Sequence, residues 1–322
     1  MEIADIKEKW THAINTVTIG ATSADGGTRA KTVTVGGETT LPALTFEGKL
    51  PHSPVIAGVV VDVVPDDWPD VLKKAIGDEI NSPVEWAQKY VEAFNVDLIS
   101  LKLLGPDPAG KDLSAEDAVK TVKAVLEAVD VPLIIWGCGD ENKDNEVLPE
   151  CSQAAKGENC LIGSATETNY RTLAAIGKAD HHKLISEAPV DINIGKQVNI
   201  LLQDVGFNLN DVVMCQVTAA LGYGFDYVYT IFERVRIAGL KGDRHMALPM
   251  IANVGWEVWK VKEALADEDV LPGWGKLEKR GPRWEAATAA GYLQAGADIV
   301  TLAHPESIAV IRETISELME ND

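Results

Sequence analysis

The sequence predicts a single (β/α)8 barrel preceded by an N-terminal β-hairpin. Three observations carry that expectation. About eight short apolar runs follow residue 54, the segments between them have helical periodicity, and no Pro/Gly/Ser-rich linker divides the chain. Strands buried on both faces of a parallel sheet read as continuous apolar runs. Eight βα units in succession favour a closed barrel, which leaves no strand edge exposed. The 322 residues would suffice for two domains, yet barrels of this type use such a length as one unit.

The elements follow in order. Val17 and Ile19 alternate with polar neighbours, Ala24-Asp25-Gly26-Gly27 supplies turn chemistry, and Val33 and Val35 resume the alternation before Gly36-Gly37. Residues 1–53 are thus expected to form an extension and hairpin closing the bottom of a barrel that occupies 54–322. The eight barrel strands are expected at 55–61, 98–103, 132–136, 160–162, 183–186, 212–217, 249–253 and 299–302. Between them, Ala118, Val122, Val125 and Val129 recur at helical spacing behind Ser114 as N-cap. Ile308, Ile311, Ile315 and Leu318 repeat the pattern behind Pro305, a tolerated first-turn position. The stretch 266–283, with Pro272-Gly273-Trp274-Gly275, reads as an irregular loop over the C-terminal mouth.

Composition excludes several classes. A net charge of −20, with no basic run of five or more residues, opposes nucleic acid and anionic lipid. Residues 1–10 are charged and lack a signal-peptide apolar core, and no apolar run approaches the roughly 20 residues a membrane span needs. Four cysteines without C-x2-C spacing read as reduced cytoplasmic thiols, which does not point to an iron–sulfur or zinc site within this chain. The histidines are isolated or, at His181-His182, adjacent; Asp243-Arg244-His245 begins like a cobalt-ligating D-x-H-x-x-G motif, but Leu248 replaces the glycine and the trio precedes a strand.

In a barrel the working face is built from the loops after the strands. Five of these are rich in polar residues and glycine: Asp62, Gly137-Cys138-Gly139-Asp140, Asp191 to Gln197, Leu221-Gly222-Tyr223-Gly224, and Asn253-Val254-Gly255-Trp256-Glu257. Glycine permits close backbone approach, and Tyr223 and Trp256 offer flat apolar surface for a planar macrocycle. The cofactor-binding candidates are therefore Gly139, Asn193, Gly222, Tyr223, Gly224, Gly255 and Trp256. For any one loop the commoner explanation is a turn from strand to helix. Asp62 and Asp140 would more often anchor a loop or cap a helix than form an acid/base pair. Lys102 has the position of a Schiff-base lysine, although a surface or ion-paired lysine is far commoner.

Several segments resemble, in colinear order, the small subunit of the corrinoid iron–sulfur protein. They are Ala220-Leu221-Gly222-Tyr223-Gly224 through Glu233-Arg234-Val235-Arg236 to Lys241-Gly242-Asp243, with Asp66-Asp67-Trp68-Pro69-Asp70-Val71-Leu72, Gly137-Cys138-Gly139-Asp140, Asp191-Ile192-Asn193-Ile194-Gly195-Lys196-Gln197 and Pro272-Gly273-Trp274-Gly275-Lys276. The resemblance implies a place in the reductive acetyl-CoA pathway (Wood–Ljungdahl carbon fixation) of anaerobes. A methyltransferase there passes the methyl group of methyltetrahydrofolate to cobalt, and the methylcobamide serves acetyl-CoA synthase/CO dehydrogenase. It further implies a heterodimer whose large subunit carries the iron–sulfur cluster and the mobile cobamide (corrinoid) domain, with a cobamide at the subunit interface. A non-catalytic subunit is then expected ahead of an independent enzyme. The family's Asp-Pro at the end of the sixth strand is replaced here by Cys215-Gln216. Two rivals are a barrel that itself binds methyltetrahydrofolate as a methyltransferase, drawing on Asp62, Asp140, Asn193 and Asn253, and a lyase or aldolase using Lys102.

Overall fold

The computed structural model describes residues 7–320, so of the charged 1–10 segment the first six residues lie outside the described residues. The hairpin strands are β1 (Thr16–Ile19) and β2 (Val33–Gly36), followed by β3 (Val55–Val61), β4 (Leu98–Lys102), β5 (Leu133–Trp136), β6 (Leu161–Ala165), β7 (Lys183–Ala188), β8 (Val212–Gln216), β9 (Met250–Ala252) and β10 (Ile299–Leu302). The last eight close into a parallel barrel in sequence order, β10 pairing with β3. Each expected run became a strand, with ends moved by up to three residues.

Helices intervene at α1 (Asp70–Ile76), α2 (Pro83–Phe94), α3 (Ala115–Ala128), α4 (Glu141–Ala154), α5 (Tyr170–Asp180), α6 (Ile192–Asp204), α7 (Phe225–Leu240), α8 (Val254–Glu257), α9 (Lys262–Leu265), α10 (Leu277–Ala295) and α11 (Pro305–Glu320). Their starts are chemical. Ser114 Oγ accepts the Asp117 amide at the head of α3, and Asp140 Oδ1 accepts the Lys143 amide at 2.9 Å at the head of α4. These bonds satisfy amides that a helix leaves unpaired in its first turn. The segment 266–283 is irregular only to residue 276; α10 begins at Leu277 and carries Pro282 within it.

Strand alternation divides the core in two. Ile56, Ile99, Ile135, Leu184, Met214 and Val300 face the helix ring. Ala57, Leu98, Ile134, Leu161, Ile185, Val213, Ile251 and Ile299 fill the barrel, and Val17, Ile19, Val33 and Val35 of the hairpin join them. Burying each such aliphatic side chain contributes about 1.5–3 kcal/mol.

The hairpin contacts residues that precede the strands. Gly20 N donates to Asn159 O, Ala30 N to Asp130 O and Asn15 N to Ala247 O, each at 2.8 Å. Gly20 has φ +91°, and a Cβ there would stand 2.5 Å from Pro132 Cγ. The connection from β1 to β2 is longer than a tight turn. Arg29, 4% exposed, reaches from it to Glu158 (2.7 Å) and to the Leu126 carbonyl (2.7 Å).

Candidate functional site

At the C-terminal ends of the strands a cavity of about 220 Å³ is lined by Lys102, Trp136, Gly139, Asp144, Glu187 and Trp256, among others. The even residues of β4 run Leu98, Ser100, Lys102, so Leu98 inside the barrel puts Lys102 inside its mouth. The same count along β7 carries Ile185 to Glu187. Trp136, at the end of β5, donates its indole N–H to Ser100 Oγ at 2.9 Å.

Trp256 leans over this floor. The Lys102 ammonium lies 4.8 Å and the Lys260 ammonium 4.9 Å from its ring centre, distances at which a cation is attracted to an aromatic face. Trp68, from the Asp66-to-Leu72 motif, supports the ring from behind, 6.2 Å from Trp256 and 5.9 Å from Trp86. Lys102 is neither a surface lysine nor an ion-paired one. Among the described residues it makes no hydrogen bond or ion pair, and burial pushes its pKa down against the pull of Glu187.

Most carboxylates of the mouth are occupied. Asp144 accepts the amides of Cys138 (2.8 Å) and Gly139 (3.1 Å), and its burial raises its pKa. Glu141 accepts Thr166 Oγ1 at 2.6 Å, and Glu257 pairs with Lys260 at 2.9 Å. Glu187 accepts the Ser164 hydroxyl. Asp62 holds the loop after β4 through the amides of Leu104 (2.6 Å) and Gly105 (3.0 Å), and burial raises its pKa. Asp62 and Asp140 therefore anchor and cap, and do not form a pair.

The seven candidates separate. Gly139 and Trp256 line the cavity. Gly139 has φ +102° and open space where a Cβ would stand. Gly222, Tyr223 and Gly224 form the rim before α7, where Tyr223 is 48% exposed and its hydroxyl accepts the Lys262 amide at 3.3 Å. Asn193 is exposed in the first turn of α6, its amide donated to the Asp191 cap. Gly255 is buried; a Cβ there would meet Ala303 N at 2.7 Å, so this glycine lets α8 approach the end of β10. Glu187 and Trp136 escaped sequence reasoning, and Lys102 entered it only as a Schiff-base candidate. Extending the inward alternation of β7 by one residue would have found Glu187.

Two sequence motifs meet directly, Lys196 of the Asp191-to-Gln197 run pairing with Asp243 at 2.5 Å. Cys215 and Gln216 at the end of β8 are both buried. Gln216 lies 2.6 Å from where a Gly195 Cβ would be, and neither end of its amide has a hydrogen-bond partner among the described residues.

A further cavity of about 300 Å³ lies at the opposite end, where Pro42, Leu50, Leu293 and Met319 line it beside Arg236, Glu38 and Asp298. It contains none of the strand-end residues, and barrel chemistry belongs to the C-terminal face. No helix among the described residues is long and apolar enough to cross a membrane.

Strand order, closure and a polar, aromatic-walled mouth define the class: a (β/α)8 barrel whose shape is shared with dihydropteroate synthases. The Yersinia pestis enzyme in complex with a sulfonamide drug superposes with a TM-score of 0.56 at 14% identity, over 84% of this chain and 95% of that one. The Thermus thermophilus enzyme gives 0.53 at 14% identity, over 83% and 94%. At such identities the likeness concerns the fold. The chain belongs to the CO dehydrogenase/acetyl-CoA synthase delta subunit family, whose model matches residues 16–314. It is 40% identical to the acetyl-CoA decarbonylase/synthase complex subunit delta of Archaeoglobus fulgidus, over 97% of this chain and 70% of the relative. The delta 1 subunit of Methanosarcina thermophila is also 40% identical, over 98% and 73%.

Proposed function

We propose that this chain is the small subunit of a heterodimeric corrinoid iron–sulfur methyl carrier. Its barrel mouth covers a cobamide carried by the larger subunit, which also holds the iron–sulfur cluster. Family membership across nearly the whole chain supports this reading. The observation that carries it at the site is the placement of exposed apolar side chains. Val190, Val217, Tyr223, Tyr227, Val270 and Trp274 are each 37% exposed or more, and all lie in or beside the loops after β7, β8 and β9. Solvent-facing apolar groups gathered on one rim mark a surface that another molecule covers.

The residues present fit a flat macrocycle lying across the rim. A mouth cavity of about 220 Å³ is too small to enclose a cobamide, since even drug-sized ligands occupy about 300–1,000 Å³. Trp256 and Tyr223 supply flat apolar surface, and Gly222 and Gly139 leave open space beside the backbone. Gly224, Gly255 and Asn193 complete the proposed contact set, Gly255 by seating α8 and Asn193 from the neighbouring helix. When bound, the cobamide supplies the cobalt that carries the methyl group. This chain's side chains orient the ring and exclude water. Of the 1–53 extension, the described residues from 7 onward close the other end of the barrel, and the partners are methyltetrahydrofolate methyltransferase and acetyl-CoA synthase/CO dehydrogenase in the cytoplasm.

The alternative, a barrel that binds methyltetrahydrofolate itself, is weakened by the site. Of its four polar residues Asp62 and Asp140 are bound to backbone amides and Asn193 is exposed on α6, while Asn253 alone lines the cavity. Co-expression of both subunits tests the lid. Tyr223→Ala and Trp256→Ala are expected to lower cobamide retention on gel filtration, and unchanged retention in both removes the site assignment. Saturable binding of methyltetrahydrofolate to the isolated chain in a calorimeter would favour the enzyme.

A further inference from the structure

We propose that Lys102 and Glu187, on the floor of the mouth, receive a neutral carboxamide arm of the ligand lying across it. The inference rests on the lid reading and specifies which part of the ligand enters the barrel.

Three observations support it. Lys102 lines the cavity with its ammonium 4.8 Å from the Trp256 ring centre, and among the described residues it makes no hydrogen bond or ion pair, so its N–H groups are open to an acceptor. An ammonium that faces a cavity without a protein acceptor is available to donate to a ligand entering it, and a hydrogen bond from a charged donor is among the stronger ones. Second, the carboxylates around it are spoken for. Asp144 is held by the Cys138 and Gly139 amides, Glu141 by Thr166 and Glu257 by Lys260. Glu187 accepts through Oε2 from Ser164 and keeps Oε1 for another donor. Third, the cavity excludes a macrocycle by size while admitting a side arm.

Charge then selects the arm. The cavity is lined by Glu141, Asp144, Glu187 and Glu257 against Lys102, so an anionic arm meets repulsion. A carboxamide is neutral and offers both partners at once, its carbonyl accepting from Lys102 and its N–H donating to Glu187. The edge of a corrin bears acetamide and propionamide groups, which makes the cobamide a ligand of the right chemistry.

Two measurements on the co-purified two-subunit complex decide the matter. In the wild-type complex, amine acylation read by mass spectrometry is expected to modify Lys102 without cobamide and to spare it once cobamide is bound. Lys102→Met and Glu187→Gln are each expected to speed cobamide release about tenfold, the loss of one charge-assisted hydrogen bond, with the subunits still co-eluting. Replacing the cobamide by one with a peripheral carboxamide hydrolysed to carboxylate is expected to speed release from the wild type by a similar factor. Equal labelling of Lys102 with and without cobamide overturns the inference, as do unchanged release rates in both variants. The lid reading survives that result if Tyr223→Ala and Trp256→Ala still release cobamide. If the two-subunit complex retains no more cobamide than the large subunit alone, both fall.

Discussion

Arg236 Nη1 lies 2.9 Å from Glu38 Oε2, joining the segment that follows the hairpin to helix α7 inside the protein. Asp298, one residue before β10, takes the other nitrogen at 2.7 Å, and all three side chains are no more than 8% exposed. A guanidinium shared between two buried acids ties the hairpin segment, a helix and a barrel strand together. Arg236→Met is expected to cost about 3–5 kcal/mol in urea unfolding, since it leaves the buried Asp298 without its cation.

The same cluster sets an alkaline limit. Burial, with Asp298 alongside, raises the pKa of Glu38 to about 9. The folded protein keeps a proton there that the unfolded chain releases near pH 4.5, so this contribution is complete below pH 4.5 and is lost as pH rises through about 9. Glu38→Gln keeps the shape and removes the titration. Its melting temperature is expected to fall less between pH 7 and 10 than that of the wild type.

His304 sets a limit of the opposite sign. It stacks on Trp259 at 5.8 Å, accepts the Glu306 amide at 3.1 Å, and burial lowers its pKa to about 4. The unfolded chain takes up a proton near pH 6.5, so stability is full above that value and declines as pH falls toward 4. His304→Phe retains the stacking and is expected to flatten the melting temperature over this window, as read by circular dichroism.

Two glycines at the mouth should respond to one methyl group for different reasons. In Gly255→Ala the new Cβ meets the backbone of Leu302 and Ala303 at 2.7–2.9 Å, and a loss of about 1–3 kcal/mol is expected from overpacking. Gly139→Ala meets nothing within 4 Å and bears only the strain of φ +102°, of order 1–2 kcal/mol. Cobamide retention should fall with both, with Gly255→Ala because it shifts α8 and with it Trp256, and with Gly139→Ala because its methyl group occupies the open space beside the backbone.

Asp140 tests the division between structural and functional carboxylates. Asp140→Ala removes the N-cap of α4 and is expected to cost about 1 kcal/mol, whereas Asp140→Ser is expected to recover most of it. A change in cobamide retention larger than the change in stability would return Asp140 to the site.

Much of this protein could be read one residue at a time. The eight runs, the Ser114 cap, the Pro305 start and the hairpin strands follow from burial periodicity and local hydrogen bonding, which act over a few residues and are written in their spacing. The roles of Asp62 and Asp140 as anchor and cap were legible for the same reason. The family resemblance added the order of motifs, though not their contacts: that Lys196 meets Asp243, or that Trp68 backs Trp256, depends on how distant segments pack.

The sequence alone therefore determined the barrel and the rim on which its loops gather, because strand count and alternation are local properties. Tertiary structure decided which rim residues share a cavity, why Gly255 must be small, and that Lys102 faces the mouth without an ion pair among the described residues. Those outcomes depend on distances between residues far apart in the chain, and closure of the barrel is what sets them.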